Sequence, residues 1–175
     1  MKQAIVLGIG MVLTASIAAQ AKTATMTVNK INDTGVGSLI GTIQLEDSNA
    51  GLRIIPSLNG LPPGQHGFHV HSNPDCGPAD DKGKQTAGMA AGGHLDPKKT
   101  GKHLGPESSE GHLGDLPVLT VDDKGSAQTA MVAAHLKVDD LQGHSIMIHA
   151  GGDNYSDQPA PLGGGGARIA CAAFK

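Results

Sequence analysis

The chain has 175 residues, enough for one domain or two at most, with 13 basic against 16 acidic side chains and a formal charge of −3 with histidines neutral. No basic run and no aromatic platform occurs, which argues against nucleic acid as a partner. Trp is absent and the aromatics are Phe68, Tyr155 and Phe174, so the core must be built from Val, Ile, Leu, Ala and Met.

The N-terminus reads as a leader. Lys2 supplies a basic start, Ala4 to Ala18 is apolar without a charge, and Ala19-Gln20-Ala21 offers the small-x-small pattern of a signal-peptidase site. The apolar run is shorter than the roughly 20 residues that span a bilayer. Residues 1–21 are therefore expected to be a cleaved signal peptide, residues 22–175 the working domain, and the periplasm its destination. No membrane contact is expected after cleavage.

Short β segments follow in order: Thr23 to Val28, Ser38 to Leu45, Leu52 to Pro56, Gly67 to His71, Leu116 to Asp122, Ala127 to Ala133, Ser145 to His149 and Arg168 to Phe174. Turn residues separate them at Asn32-Asp33, Asn59-Gly60, Pro62-Pro63-Gly64 and Asp122-Asp123-Lys124-Gly125. About eight short strands without an amphipathic helix predict an all-β antiparallel sandwich or barrel. Two long loops, from about Ser72 to Gly114 and from about Ala150 to Gly166, interrupt the pattern. Loops of that length in a compact domain are usually functional. Cys76 and Cys171 are the two cysteines. In an exported chain an even count predicts a disulfide.

The histidines carry the chemistry. His69 and His71 stand at i and i+2 of a strand, so both face one side while Phe68 and Val70 face the other. The first long loop holds His94, His103, His112 and Asp115 at spacings of nine, nine and three positions. Three imidazoles and a carboxylate suit a closed tetrahedral zinc site. His149 ends another strand, and antiparallel packing can bring it beside His69 and His71, an imidazole array that favours copper. His66 has the wrong parity for that face and is expected to make structural hydrogen bonds. His135 and His144 read as surface or packing residues.

These residues resemble the copper/zinc superoxide dismutase family, in its bacterial periplasmic class. The resemblance rests on Gly64-Gln65-His66-Gly67-Phe68-His69-Val70-His71, Ala91-Gly92-Gly93-His94-Leu95-Asp96-Pro97, Gly101-Lys102-His103 and Gly111-His112-Leu113-Gly114-Asp115-Leu116-Pro117. It continues through Ile148 to Asp157 and Pro161 to Cys171. It implies an eight-stranded Greek-key barrel or sandwich of immunoglobulin-like architecture with two long functional loops. It implies copper on His69, His71, His94 and His149, zinc on His94, His103, His112 and Asp115, and His94 shared between them. Asp153 resembles the aspartate that orients one histidine of each group. Arg168 resembles the arginine that guides the anion, and the Cys76–Cys171 bridge would tie the first loop to the strand carrying it. The implied activity disproportionates superoxide to dioxygen and hydrogen peroxide through Cu(II)/Cu(I) cycling, with His94 breaking from copper and taking a proton. Lys98, Lys99, Lys102 and Lys137 are weaker candidates for steering.

Two features depart from the family pattern. Ala172 follows Cys171 where a glycine is expected, and the His103-to-His112 spacing is a residue longer than usual. The rival reading is a non-enzymatic periplasmic protein that buffers copper or zinc, for which Arg168 and a shared His94 would have no use. A zinc-stabilised β-sandwich interaction module is a third. A homodimer is compatible with the sequence, which carries no surface signature for or against it.

Overall fold

The computed structural model describes residues 20–175; the expected signal peptide, residues 1–21, lies almost wholly outside them. The strands are β1 (Thr23–Asn32), β2 (Gly35–Ser48), β3 (Gly51–Leu58), β4 (Gly64–His66), β5 (Phe68–His71), β6 (Ala79–Asp81), β7 (Lys84–Thr86), β8 (Leu119–Val121), β9 (Met131–Ala133), β10 (His144–His149) and β11 (Arg168–Phe174). Three single turns of 3₁₀ helix, at Met89–Ala91, Val138–Leu141 and Pro161–Gly164, are the helical elements among the described residues. No helix among these residues is long and apolar enough to cross a membrane.

Seven strands form one antiparallel sheet in the order β5-β10-β11-β1-β2-β3-β9, and β4 pairs with β8 beside it. Period-two alternation fills the interior. Ile43 and Leu45 of β2, Leu52, Ile54 and Leu58 of β3, Ile146 and Ile148 of β10, and Ala170 and Ala172 of β11 all join one core. Phe68 and Val70 of β5 are fully buried in it. Burying a side chain of that size contributes roughly 1.5–3 kcal/mol. Ala172, which replaces the expected glycine, is buried without disturbing β11: it pairs with Ile146, and its neighbours keep register.

All eight expected segments contain strand, though Ala127–Ala133 is strand only at Met131–Ala133, with Ala127 bridging to Leu58. β1 and β2 are longer than expected and form a hairpin turning at Asp33-Thr34, where Asn32 Oδ1 accepts from the Thr34 and Gly35 amides. The first long loop is not structureless: it contains the β6–β7 hairpin, whose Asp81-Lys82-Gly83-Lys84 turn has too little apolar content to signal a strand.

What positions the site is how this loop returns to β5. That strand ends the seven-stranded sheet, and the loop covers its open edge. Val70 N donates to Gly114 O (2.9 Å), Leu95 N to Val70 O (2.8 Å), Ser72 N to Gly93 O (3.0 Å) and Leu116 N to Phe68 O (3.3 Å). An exposed row of unpaired backbone groups is thereby satisfied. The same pairing sets His94 against His71 and Asp115 against His69.

A second cluster of Ile31, Cys76, Ala91, Met147 and Cys171 lies on the sheet's other face. Its centre is the Cys76–Cys171 disulfide, with Cα atoms 5.7 Å apart and 95 positions between the residues. Closing a loop near 100 residues is worth about 4–5 kcal/mol as an upper limit. The double substitution Cys76→Ser/Cys171→Ser is expected to lower the unfolding free energy by about 2–4 kcal/mol. Denaturant midpoints of the two proteins under non-reducing conditions measure this.

Candidate metal centre

The site lies on the outer face of β5 and β10. β5 contributes His69 and His71, and β10 ends on His149, whose amide donates to Gly67 O at 2.9 Å. A register shift between Ile148 and His149 places His149 opposite Arg168 of β11. The two long loops close over this face, so His69 and His71 are fully buried although they point away from the core.

Each imidazole is fixed through one nitrogen. His69 Nε2 donates to Asp153 Oδ2 (2.7 Å), His71 Nδ1 to Gly92 O (2.9 Å) and His149 Nδ1 to Gly166 O (3.1 Å). His94 Nδ1 meets Asp115 Oδ1 (3.0 Å), and His103 Nε2 donates to Asp153 Oδ1 (2.8 Å). The other nitrogen of His69 (Nδ1), His71 (Nε2), His94 (Nε2) and His149 (Nε2) is buried without a hydrogen-bond partner, whereas that of His103, Nδ1, faces Asp115 Oδ1 at 3.0 Å. An unsatisfied buried polar group costs about 1–3 kcal/mol. Four in one place amount to lone pairs held ready for something electron-poor.

Two groups result. His69, His71, His94 and His149 form an all-nitrogen set whose ligand atoms lie within 4.8 Å of one another. Around Asp115 Oδ1 stand His94 Nδ1 at 3.0 Å, His103 Nδ1 at 3.0 Å and His112 Nδ1 at 3.3 Å. Zinc–ligand bonds of 2.0–2.1 Å in a tetrahedron separate ligand atoms by about 3.3 Å. The three spacings to Asp115 Oδ1 are close to that value, although His112 lies outside the 4.8 Å grouping of His69, His94, His103 and Asp115. His69 also lies within 4.8 Å of His94, His103 and Asp115, but its Nε2 is taken by Asp153, so its one free nitrogen belongs with the first set. His94 stands between the sets and offers one nitrogen to each.

The protonation states differ between the two groups. Burial pushes His69 down to about 3 and His149 to about 4, and holds His71 and His94 below their ordinary value. The all-nitrogen set is thus neutral at pH 7, as metal ligation requires. Burial opposes charge on His103 too, but contacts with Asp115 and Asp153 outweigh it and raise that group to about 9. Burial likewise works against the Asp115 and Asp153 carboxylates. Hydrogen bonds from His103, His112 and His94 to Asp115, and from His103 and His69 to Asp153, nevertheless hold both well below the usual carboxylate range.

Arg168 sits beside this cluster. Its Nη1 donates to Gly88 O (2.6 Å) and its Nη2 to Gly92 O (2.8 Å), the carbonyl that also accepts from His71. Burial lowers its pKa and Asp81 opposes that shift, and the guanidinium stays charged. Gly88 has φ 66°, and a Cβ there would meet Ile31 Cδ1 at 2.8 Å and Arg168 Cδ at 3.1 Å. The carbonyls that aim Arg168 gave no sequence signal beyond those two glycines. Asp157, which accepts from the His103 amide (2.9 Å) and the Leu162 amide (3.2 Å), also went unread. Outside the cluster, His66 bridges His149 O (2.7 Å) and Pro62 O (2.8 Å), the hydrogen-bonding position expected of it. His135 is exposed and His144 half-buried.

The family model described as copper/zinc superoxide dismutase matches residues 39–174. The chain belongs to that family. It is 55% identical over 150 residues to superoxide dismutase [Cu-Zn] 1 of Salmonella typhimurium, covering 85% of each chain. Against the Escherichia coli K12 superoxide dismutase [Cu-Zn] it is 48% identical over 164 residues, covering 93% of this chain and 94% of the other. The Cu/Zn superoxide dismutase structure from Brucella abortus superposes with a TM-score of 0.86 at 45% identity, covering 88% of this chain and all of that one. The Salmonella enterica structure, described as monomeric, gives 0.79 at 50% identity with the same coverage. That neighbour lends no support to a homodimer.

The pH dependence of the metal-free protein follows from the imidazoles. Between about 4 and 6.5 the unfolded chain binds protons that His69, His71, His94 and His149 refuse when folded, so stability rises with pH. His103 works oppositely: its contribution is complete below 6.5 and is lost as pH rises through about 9. Thermal unfolding of metal-free protein is expected to show maximal stability near pH 6.5, with a decline on both sides.

Proposed function

We infer that this chain is a superoxide dismutase that holds copper on His69 Nδ1, His71 Nε2, His94 Nε2 and His149 Nε2, and zinc on the Nδ1 atoms of His94, His103 and His112 with Asp115 Oδ1. Four imidazole nitrogens suit copper, and three with a carboxylate in a closed tetrahedron suit structural zinc. When bound, copper would supply a one-electron couple by which one superoxide is oxidised to dioxygen and a second, taking up two protons, is reduced to hydrogen peroxide.

The observation that carries the reading is His94. Its Nδ1 is held at the Asp115 side while its Nε2 lies buried and free among the first group. A site meant only for storage has no use for one ring facing two ions. Here the ring cannot turn, so Nε2 is a fixed point at which a proton is held beside the reduced oxygen and then given to it. His69 and His103, both tied to Asp153, keep the two sites in constant relation.

Arg168 draws the anion in. Its guanidinium, aimed by the Gly88 and Gly92 carbonyls, leaves its remaining N–H groups for a small oxyanion beside His149. This local positive charge acts against a net charge of −3. Of the lysines considered for steering, Lys137 is engaged by Ser48 O and Lys98 by Ser109 O. The disulfide calls for an oxidising compartment, and the expected leader would deliver the chain to the periplasm.

Arg168→Ala is expected to lower the second-order rate with superoxide by about tenfold and to flatten its dependence on ionic strength, with copper and zinc contents unchanged. His149→Ala should abolish dismutation while zinc is retained. Stopped-flow or pulse-radiolysis rates, with metal analysis of the same samples, decide both. Full dismutase activity in His149→Ala would exclude the copper assignment.

A further inference from the structure

The second group is sealed on three sides. The side chains of His94, His103 and Asp115 are at most 1% exposed, while that of His112 is 9% exposed. His112 and Asp115 face a cavity of about 290 Å³. A water occupies about 30 Å³, so the space admits a partly hydrated ion. Pro106, Ser108 and Ser109 form one wall, and Ala133, His135 and Leu136 form the other.

The segment from 104 to 111 covers this cavity, and it contains neither strand nor helix. Its outer part is fastened by two long hydrogen bonds: Lys98 Nζ to Ser109 O and His135 Nε2 to Glu107 O, each 3.3 Å. Both distances exceed the usual range for N–H···O bonds, and both pairs are exposed to water, so each is weak. Asp96 and Lys98 line the cavity with opposite charges, and Glu107 and Glu110 are exposed on the covering segment outside it.

An approach past His94 would run through the first group. An ion arriving there meets four buried imidazoles with free nitrogens before it reaches Asp115. Those nitrogens would capture it. A separate path avoids that competition and allows each ion to reach its own ligands.

We propose that the cavity against His112 is the loading and release port of the zinc site, with residues 104–111 as its cover. The proposal rests on the zinc reading given above. His112 is the first ligand an incoming ion meets and the last it leaves. Lys98 and His135 hold the outer part of the cover down, while its inner end is tied to the site itself, where the Leu104 and Gly105 amides donate to Asp115 Oδ2 (3.2 and 3.3 Å).

The test is the rate at which zinc passes from the copper- and zinc-loaded protein to an excess of a chromophoric chelator. Ser108→Phe fills the cavity and is expected to slow release by about tenfold. The double variant Lys98→Ala/His135→Ala frees the cover and is expected to speed release by about tenfold. Ser109→Phe, at the exposed rim, replaces Ser108→Phe if that protein does not fold. Zinc content at equilibrium is measured alongside. One zinc per chain upholds the zinc site itself, whatever the rates; less than one in the unsubstituted protein removes site and port together. Release at the unsubstituted rate in both variants overturns the port.

Discussion

Asp153 joins the two halves of the site. One oxygen accepts from His69 Nε2 and the other from His103 Nε2, so a single buried carboxylate fixes the ring orientation of one histidine in each group. Rotation of either ring would strand a buried donor and an unpaired carboxylate oxygen together, a penalty of several kcal/mol. The carboxylate has little freedom of its own. Gly163, at φ 70°, packs so closely that a Cβ would overlap Asp153 Oδ1 and lie 2.9 Å from His103 Nε2. Gly163, the first of the glycine run from 163 to 166, is thus a steric requirement of the clamp.

From that clamp the geometry spreads outward along the backbone. His94 and Asp115 are held beside β5 by hydrogen bonds that also cover the edge of that strand. The same carbonyl of Gly92 orients His71 and Arg168, so the substrate guide and one proposed copper ligand are set by one peptide. The disulfide fastens the loop carrying Gly88 and Gly92 to β11, three residues beyond Arg168. Fold stability and site geometry therefore share supports: loosening the first loop costs the edge pairing, the Arg168 cradle and the His94 position at once.

Much of this was legible in the sequence because strand parity is local. His69 and His71 had to share a face while Phe68 and Val70 took the core, and they do. The copper/zinc family resemblance was legible too, from runs such as Gly111 to Leu116. Carbonyl contacts were not. Gly88 O and Gly92 O carry no side-chain identity, and their approach to Arg168 spans 76 to 80 positions of chain. In sequence His135 reads as a surface or packing residue, and only the folded chain brings it to the cavity beside His112. The β6–β7 hairpin was missed because a polar two-stranded ribbon has no hydrophobic alternation to betray it. The longer His103-to-His112 spacing was visible but mute; in the fold those residues are the cover of that cavity.

The central claim is that His94 serves two different ions through its two nitrogens. A crystal structure of the loaded protein, with anomalous differences collected at the copper and zinc edges, tests it directly. The account requires copper among His69, His71, His94 Nε2 and His149, and zinc among His94 Nδ1, His103, His112 and Asp115, one ion in each. A single ion, or the same element in both places after loading with both metals, would contradict it.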